Sequence, residues 1–380
     1  MNILEETQKI RRHLHMYPEL GLDVEGTAQY IETYLGNSGL ETERRAGTAV
    51  IAYIEGKDSS KPLLAIRSDM DACPMQEEND FEFRSKRPGI MHACAHDGHM
   101  AILLGLAKML KEEQFIPEGP VKLIFQPAEE TGEGAQKLIS AGVLNDVDTI
   151  IGYHLWPALE PGFVQINDGV QMAGSDRFEI VLTGKGGHGA YPSEALNPIN
   201  GAVAICTEIN KILDRIPIPE PVALSIGRIE SGTAYNIIPE RAVLEGSLRT
   251  LALDTRRLLI EEIQNITKRI AEAYKIKQEV YLEQIAPALL NKPEVVSLIE
   301  AAVEGSGEKL AAKNKPILAS EDFAFYLQER PGAYFFIGAG MDRQGVFLHN
   351  PKFDFCEAAM VIGIKVLKSI INGYWKQNVL

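Results

Sequence analysis

Within nine residues, Met91-His92-Ala93-Cys94-Ala95-His96-Asp97-Gly98-His99, the chain places three of its eight histidines and one of its four cysteines. Imidazole and thiolate are the side chains that bind borderline transition metals, so the cluster points to a metal site. Cys94 and His96 are two apart, which in an extended segment puts both side chains on one face. Two such donors do not close a structural site. The others must come from distant segments, as they do in catalytic metal sites. A chance cluster at a helix start is the competing reading.

Four other places carry suitable donors at the ends of expected strands. Asp69 and Asp71 follow a strand read as ending at Arg67, and Glu129 and Glu130 follow one read over 121–125. His154 follows a strand over 148–153, and His349 lies in Phe347-Leu348-His349-Asn350-Pro351. Open α/β sheets bind ligands beyond the carboxyl ends of their strands. Each residue alone fits a solvated carboxylate or a satisfied histidine; together they favour a metal centre.

The elements that must hold these donors alternate in type. Helical patterning over 5–15, 27–38, 98–113 and 133–141 alternates with strand-like runs over 50–55, 62–67, 121–125 and 148–153. That rhythm implies a sheet covered by helices. The texture changes near Asp176. A strand over 177–183, a helix over 198–213, strands over 223–230 and 242–249, a helix over 255–274 and a strand over 277–283 follow. This βαββαβ order is that of a ferredoxin-like sandwich. Residues 169–174 and 286–293 read as crossings between domains. Beyond Pro293 the first rhythm returns through 323–330, 334–337 and a helix near 357–372. The expectation is an α/β protein whose mixed-sheet catalytic domain, helices on both faces, comprises 1–174 and 287–380. A ferredoxin-like lid or dimerisation domain is inserted over 175–286.

Length and composition agree with that plan. A chain of 380 residues exceeds the usual size of one core, so about two domains are expected. Apolar residues make up 45% and charged residues 24%, ordinary for a soluble globular protein. A net charge of −14 argues against a nucleic-acid partner, which needs a basic face. The acidic start lacks the apolar core of a signal peptide, and the longest apolar stretch, 100–110, is too short to span a membrane. Four scattered cysteines suit a reducing compartment, so a cytoplasmic enzyme without a membrane partner is expected.

Arg67-Ser68-Asp69-Met70-Asp71-Ala72, the 91–99 segment, Phe125-Gln126-Pro127-Ala128-Glu129-Glu130, Gly152-Tyr153-His154 and Gly186-Gly187-His188-Gly189-Ala190-Tyr191-Pro192 occur in that order. This succession resembles the amidohydrolase branch of the M20 metallopeptidase superfamily. That branch includes aminoacylase-like, hippurate-hydrolase-like, auxin-conjugate-hydrolase-like and N-acetyldiaminopimelate deacetylase enzymes. The likeness runs from about His13 to His349. It implies two divalent ions (zinc, manganese, nickel or cobalt) held by Cys94, His96, Glu130, His154 and His349. Cys94 stands where other branches use a bridging aspartate. Glu129 would be the general base, and Asp71 a carboxylate that orients a ligand. The resemblance further implies that His188 stabilises the oxyanion, from its own or a partner subunit. Asn236 and Arg249 would bind the carboxylate end of the substrate. A homodimer or higher homo-oligomer is implied as well. Two residues depart from the branch: Ala95 replaces the usual glycine, and Cys73 a larger apolar residue. Cys73 reads as a small buried hydrophobe rather than another metal-binding thiol.

Gly184-Lys185-Gly186-Gly187-His188-Gly189 satisfies G-x-G-x-x-G, but a dinucleotide site needs a helix at the third glycine. Pro192 disfavours helix at Tyr191, and the next helix begins only near Pro198. No G-x-S-x-G or H-E-x-x-H occurs, which removes serine hydrolases and zincins. The expected activity is metal-dependent hydrolysis of the amide bond of N-acyl-amino acids or similar small conjugates. N-acetyldiaminopimelate deacetylation comes next, then dipeptidase or carboxypeptidase cleavage. A non-catalytic metal-binding protein is the alternative of a different class; it has no use for Glu129 beside Glu130, or for His188.

Overall fold

Leu64–Asp69, Val121–Gln126 and Thr149–Trp156 are buried along their whole lengths, the texture of strands covered on both faces. In the computed structural model, which describes residues 2–341 and 345–376, they lie inside an eight-stranded mixed sheet. Its order is Thr42–Arg45, Ala49–Ile54, Val121–Gln126, Leu64–Asp69, Thr149–Trp156, Gly332–Gly338, Phe163–Gln165 and Lys309–Leu310. Leu64–Asp69 runs parallel to both neighbours, and Thr149–Trp156 runs parallel to Gly332–Gly338. Ala49–Ile54 is antiparallel to both of its neighbours.

Alternation along a strand assigns the two faces. Ala333, Phe335 and Ile337 join the large apolar core with Met360, Ile364 and Leu367 of the helix Ala358–Tyr374. Tyr334 turns the other way, its ring 5.2 Å from that of Phe323, just before the helix Ala324–Glu329. The helix His96–Glu112 is apolar nearly all round because the helices Ile3–Met16 and Ala358–Tyr374 both pack on it. Gly98 lets its first turn close on its surroundings. A Cβ at that position would lie 2.5 Å from the Phe355 ring and 2.6 Å from Leu155.

Met172–Ala288, together with Pro316–Ser320, forms a second compact unit. Its strands Ala223–Ser231, Arg241–Thr250, Gly174–Thr183 and Lys277–Ala286 make a fully antiparallel sheet in that order. The helices Pro198–Ile209 and Leu253–Tyr274 complete the βαββαβ succession. Ile205, Ile209, Leu259 and Ile263 bury against Phe178, Ile180, Leu182 and Leu244.

The structure differs from the sequence-based expectation in several places. Residues 316–320 leave the first unit, which comprises Met1–Gln171, Leu289–Lys315 and Glu321–Leu380. The Ala173 N–H donates to the carbonyls of Ile317 (2.9 Å) and Ala319 (3.0 Å), an irregular pairing that no periodicity announces. The segments read as bare crossings pair as a two-stranded ribbon, Gly169–Met172 with Leu289–Asn291. The helix expected over 198–213 breaks into Pro198–Ile209 and Ile212–Arg215. Asp69 and His154 lie within their strands, which run on to Asp69 and Trp156, instead of in the loops that follow. Among the described residues, no helix is long and apolar enough to cross a membrane.

Candidate metal centre

His96 sits at the start of its helix, buried, and its Nδ1 lies 2.7 Å from the Asp71 carbonyl. In the neutral ring, donation to that carbonyl places the lone pair on Nε2. Among the described residues this buried atom has no hydrogen-bond partner. It points at three carboxylates, 3.7 Å from Asp69 Oδ2, 3.8 Å from Glu129 Oε2 and 4.0 Å from Glu130 Oε1. Burial opposes a charge on His96, yet Asp69, Glu130 and Asp71 together push its pKa up to about 9. His154 donates Nδ1–H to the Leu155 carbonyl at 2.7 Å and turns Nε2 toward Cys94 Sγ at 3.5 Å. Burial, then His99, holds its pKa well below the usual value, so it is the neutral imidazole that a ligand must be. The donor atoms of Cys94, His96 and His154 all lie within 4.8 Å of one another.

A second group meets the first through Glu130. Its Oε1 is 3.2 Å from His349 Nε2 and accepts from Cys73 Sγ at 3.0 Å. Burial opposes ionisation of Glu130, but His349 and His96 hold its pKa down to about 2. Cys94, His96, Glu130, His154 and His349 therefore converge in one place, from four stretches of sequence. Asp71 braces three of its neighbours: Oδ1 and Oδ2 accept the N–H groups of Glu129 (3.0 Å) and Glu130 (3.2 Å), while its carbonyl holds His96. Burial pushes the Asp71 carboxyl up to about 7.

These residues fit divalent ions. A buried polar atom without a partner is uncommon, and here it is an imidazole nitrogen facing acidic oxygens, which a cation would satisfy. His99 and His92 lie outside the donor set. Both nitrogens of His99 are committed, Nδ1 to Asp69 Oδ1 at 2.7 Å and Nε2 to the Leu155 N–H at 2.9 Å. His92 is buried with neither nitrogen paired among the described residues, and burial pushes its pKa down to about 3.

Backbone strain gathers at the donors. Ala95 (φ 64°), Ala128 (φ 61°) and His349 (φ 56°) are all left-handed, and each is a candidate donor or directly precedes one of the candidate site residues His96 and Glu129. The usual glycine at position 95 thus has a physical reason. A Cβ costs about 1–2 kcal/mol in this conformation, against about 0.5–1 kcal/mol for the extra freedom of unfolded glycine. Ala95→Gly is expected to raise stability by about 0.5–1 kcal/mol. Thermal melting checks it, and a lowered midpoint would show that the turn is unstrained.

The second unit carries the other expected residues. His188 and Ile237 pair across a two-residue ribbon, and the Gly189 N–H donates to the Asn236 carbonyl at 2.9 Å, so His188 and Asn236 are close neighbours. Both are exposed; His188 Nδ1 accepts from the Ala190 N–H at 3.0 Å. Arg249 is elsewhere on the unit, donating to the Leu318 carbonyl (3.1 Å) and to Ser320 Oγ (3.2 Å). It is half-buried, burial lowers its pKa, and no carboxylate among the described residues pairs with it.

A buried network went unread in the sequence. Arg67, fully enclosed, reaches Gln126 Oε1 (2.9 Å), Asp69 Oδ2 (2.7 Å), Asp322 Oδ1 (2.9 Å) and Glu321 Oε1 (3.1 Å). Carboxylate oxygens of Glu129, Glu321 and Asp322 lie within 4.8 Å of one another, so the network borders the metal centre. The adjacent acids at 321–322 before a helix were its only sequence signal.

Residues 65–373 match the family described as peptidase family M20/M25/M40. The chain belongs to this M20 family. It is 37% identical over 354 residues to the N-acetyl-L-cysteine deacetylase of Bacillus subtilis, covering 93% of this chain and 84% of that one. Identity to the N-acyl-L-amino acid amidohydrolase of Geobacillus stearothermophilus is 43% over 272 residues, 71% of this chain and 73% of that one. A solved dinuclear metal-binding peptidase of the M20 family from Bacillus subtilis matches with a TM-score of 0.85 at 32% identity, covering 97% of this chain and 98% of that one. This M20 chain is accordingly a metal-dependent amidohydrolase.

Proposed function

We propose that this M20 amidohydrolase hydrolyses the amide bond of small N-acyl-amino acids with two divalent ions. The observation that carries the reading is the bare, buried Nε2 of His96 facing Glu129 and Glu130. Cys94, His96, Glu130, His154 and His349 would hold the ions. When bound, such ions acidify a water to near neutral pKa and polarise a carbonyl. The chain's own groups do the rest. Glu129, tied at its N–H to Asp71, is placed to take the proton from water and return it to the leaving nitrogen. Asp71 keeps Glu129, Glu130 and His96 in register as a positioning residue. His188 would donate to the tetrahedral oxygen from its own or a partner subunit, which a homodimer would supply. Arg249, half-buried and without a carboxylate partner among the described residues, suits the free carboxylate of the substrate, with Asn236 beside His188 as a second polar contact. The composition suits action in the cytoplasm.

The relatives named for N-acyl-amino acids and N-acetyl-L-cysteine support an acyl-amino-acid substrate. Amine release from a panel of N-acyl-amino acids, N-acetyldiaminopimelate and dipeptides tests the proposal, after chelation and return of zinc, manganese, nickel or cobalt. Turnover is expected to vanish on chelation, return with an added ion, and fall sharply for substrates whose carboxylate is amidated. Faster cleavage of dipeptides would shift the reading to a dipeptidase. No turnover with any compound would leave a non-catalytic metal-binding protein.

A further inference from the structure

Cys73 was expected to be packing, yet its thiol is turned into the metal centre. It donates to Glu130 Oε1 at 3.0 Å, the oxygen that lies 3.2 Å from His349 Nε2. The bare Nε2 of His96 lies 4.0 Å from the same oxygen. One carboxylate oxygen is thus the meeting point of a thiol and two imidazoles. The donor atoms of Cys73, Glu130 and His349 lie within 4.8 Å of one another, a grouping separate from Cys94, His96 and His154. Cys73 is buried, so its sulfur has little access to water.

We propose that Cys73 is a second thiolate ligand, serving the Glu130–His349 side of the centre and biasing it toward soft ions such as zinc. The inference rests on the two-ion reading above. Ion binding displaces the S–H proton to solvent, and the sulfur lone pair goes to the cation. Without Cys73, the Glu130–His349 group offers only oxygen and nitrogen, donors that do not exclude manganese. With it, each half of the centre carries one thiolate. Softness then favours zinc and cobalt over manganese on both sides.

Cobalt(II) reads thiolate ligation directly, through near-ultraviolet sulfur-to-cobalt charge-transfer absorbance, without reference to catalysis. The full-length protein is stripped of metal and titrated with cobalt(II) to saturation. Cys73→Ser and, for a variant that restores packing volume, Cys73→Val are each expected to lose about half of the wild-type band. Cys94→Ser is expected to lose about half as well, one thiolate lying in each donor group. In chelator competition, Cys73→Ser should bind zinc about tenfold or more weakly, with manganese affinity changed much less. Circular dichroism and melting confirm that the variants are folded. A full band in folded Cys73→Ser beside an abolished band in Cys94→Ser overturns the role of Cys73 and leaves the two-ion reading standing. No band in the wild type overturns both.

Discussion

Glu129→Gln is expected to lower kcat by about 10²–10⁴-fold while KM and bound metal stay close to wild type. The backbone of Glu129 is fixed by its N–H to Asp71 Oδ1, and an amide side chain of the same size leaves that bond in place. Glu129 is not among the five proposed ligands, so the ions should remain. What glutamine removes is the ability to accept a proton. Burial, then the Glu321 and Glu130 carboxylates, raises the proton affinity of Glu129 well above the usual carboxylate range. That suits a group that must take a proton from water and hold it until the amine departs. Glu130→Gln makes the contrast. It should release metal, because its Oε1 faces His349 and His96. Elemental analysis and steady-state kinetics on both variants separate the roles. A Glu129→Gln enzyme with a tenth or more of wild-type kcat, or one that has lost its metal, removes Glu129 from the position of base.

What the sequence disclosed follows from how local each signal is. Cys94 and His96 were legible because two donors two residues apart announce themselves in one window. His154 and Glu130 were legible as donors beyond apolar runs, although His154 proved to lie inside a strand two residues longer than its apolar core suggested. The helix Leu253–Tyr274 carries its pattern over six turns and was read within two residues. Phe163–Gln165 and Lys309–Leu310 are too short to show alternation, and both were missed. Cys73 looks apolar in its own window; only the fold brings it against Glu130. Arg67 and Asp322 are 255 residues apart, and nothing in either neighbourhood announces the other. Likewise, the positive φ at Ala128 and His349 is imposed by the anchors around them. The Glu129 and Glu130 N–H groups go to Asp71, and the His349 N–H to the Ala93 carbonyl at 2.8 Å.

Arg67→Leu is expected to be the most destabilising single change near the centre, at about 3–5 kcal/mol, because it strips a buried cation from buried acids. Asp69, Glu321 and Asp322 would be left without their shared counter-charge, and none is exposed enough for water to replace it. Gln126 donates to both oxygens of Asp322, and the Tyr334 hydroxyl donates to Glu321 Oε2 at 2.7 Å. These neutral donors soften the loss without cancelling it. Arg67→Lys should fall between, since a point charge cannot reach Gln126, Asp69, Glu321 and Asp322 with one planar fork. The pH dependence has a definite sign. In the wild type, burial opposes the charge on Asp69, but His96, His99 and Arg67 hold its pKa well below the usual value. Its contribution is therefore present above the unfolded carboxylate range and lost as pH falls. In Arg67→Leu the stranded acids take up protons more readily than in the unfolded chain, so acidification relieves their repulsion. The second effect shrinks the gap between variant and wild type as pH falls from about 8 toward 5, and the first adds only below that, near the unfolded carboxylate range; denaturant titrations at several pH values measure it. A gap that stays constant or widens on acidification would mean that Arg67 acts through packing rather than charge. The loss should reach catalysis too. Asp69 Oδ2 lies 3.7 Å from His96 Nε2, and Glu321 is the strongest source of like-charge repulsion on Glu129, so freeing either acid disturbs the proposed ligand and the proposed base together.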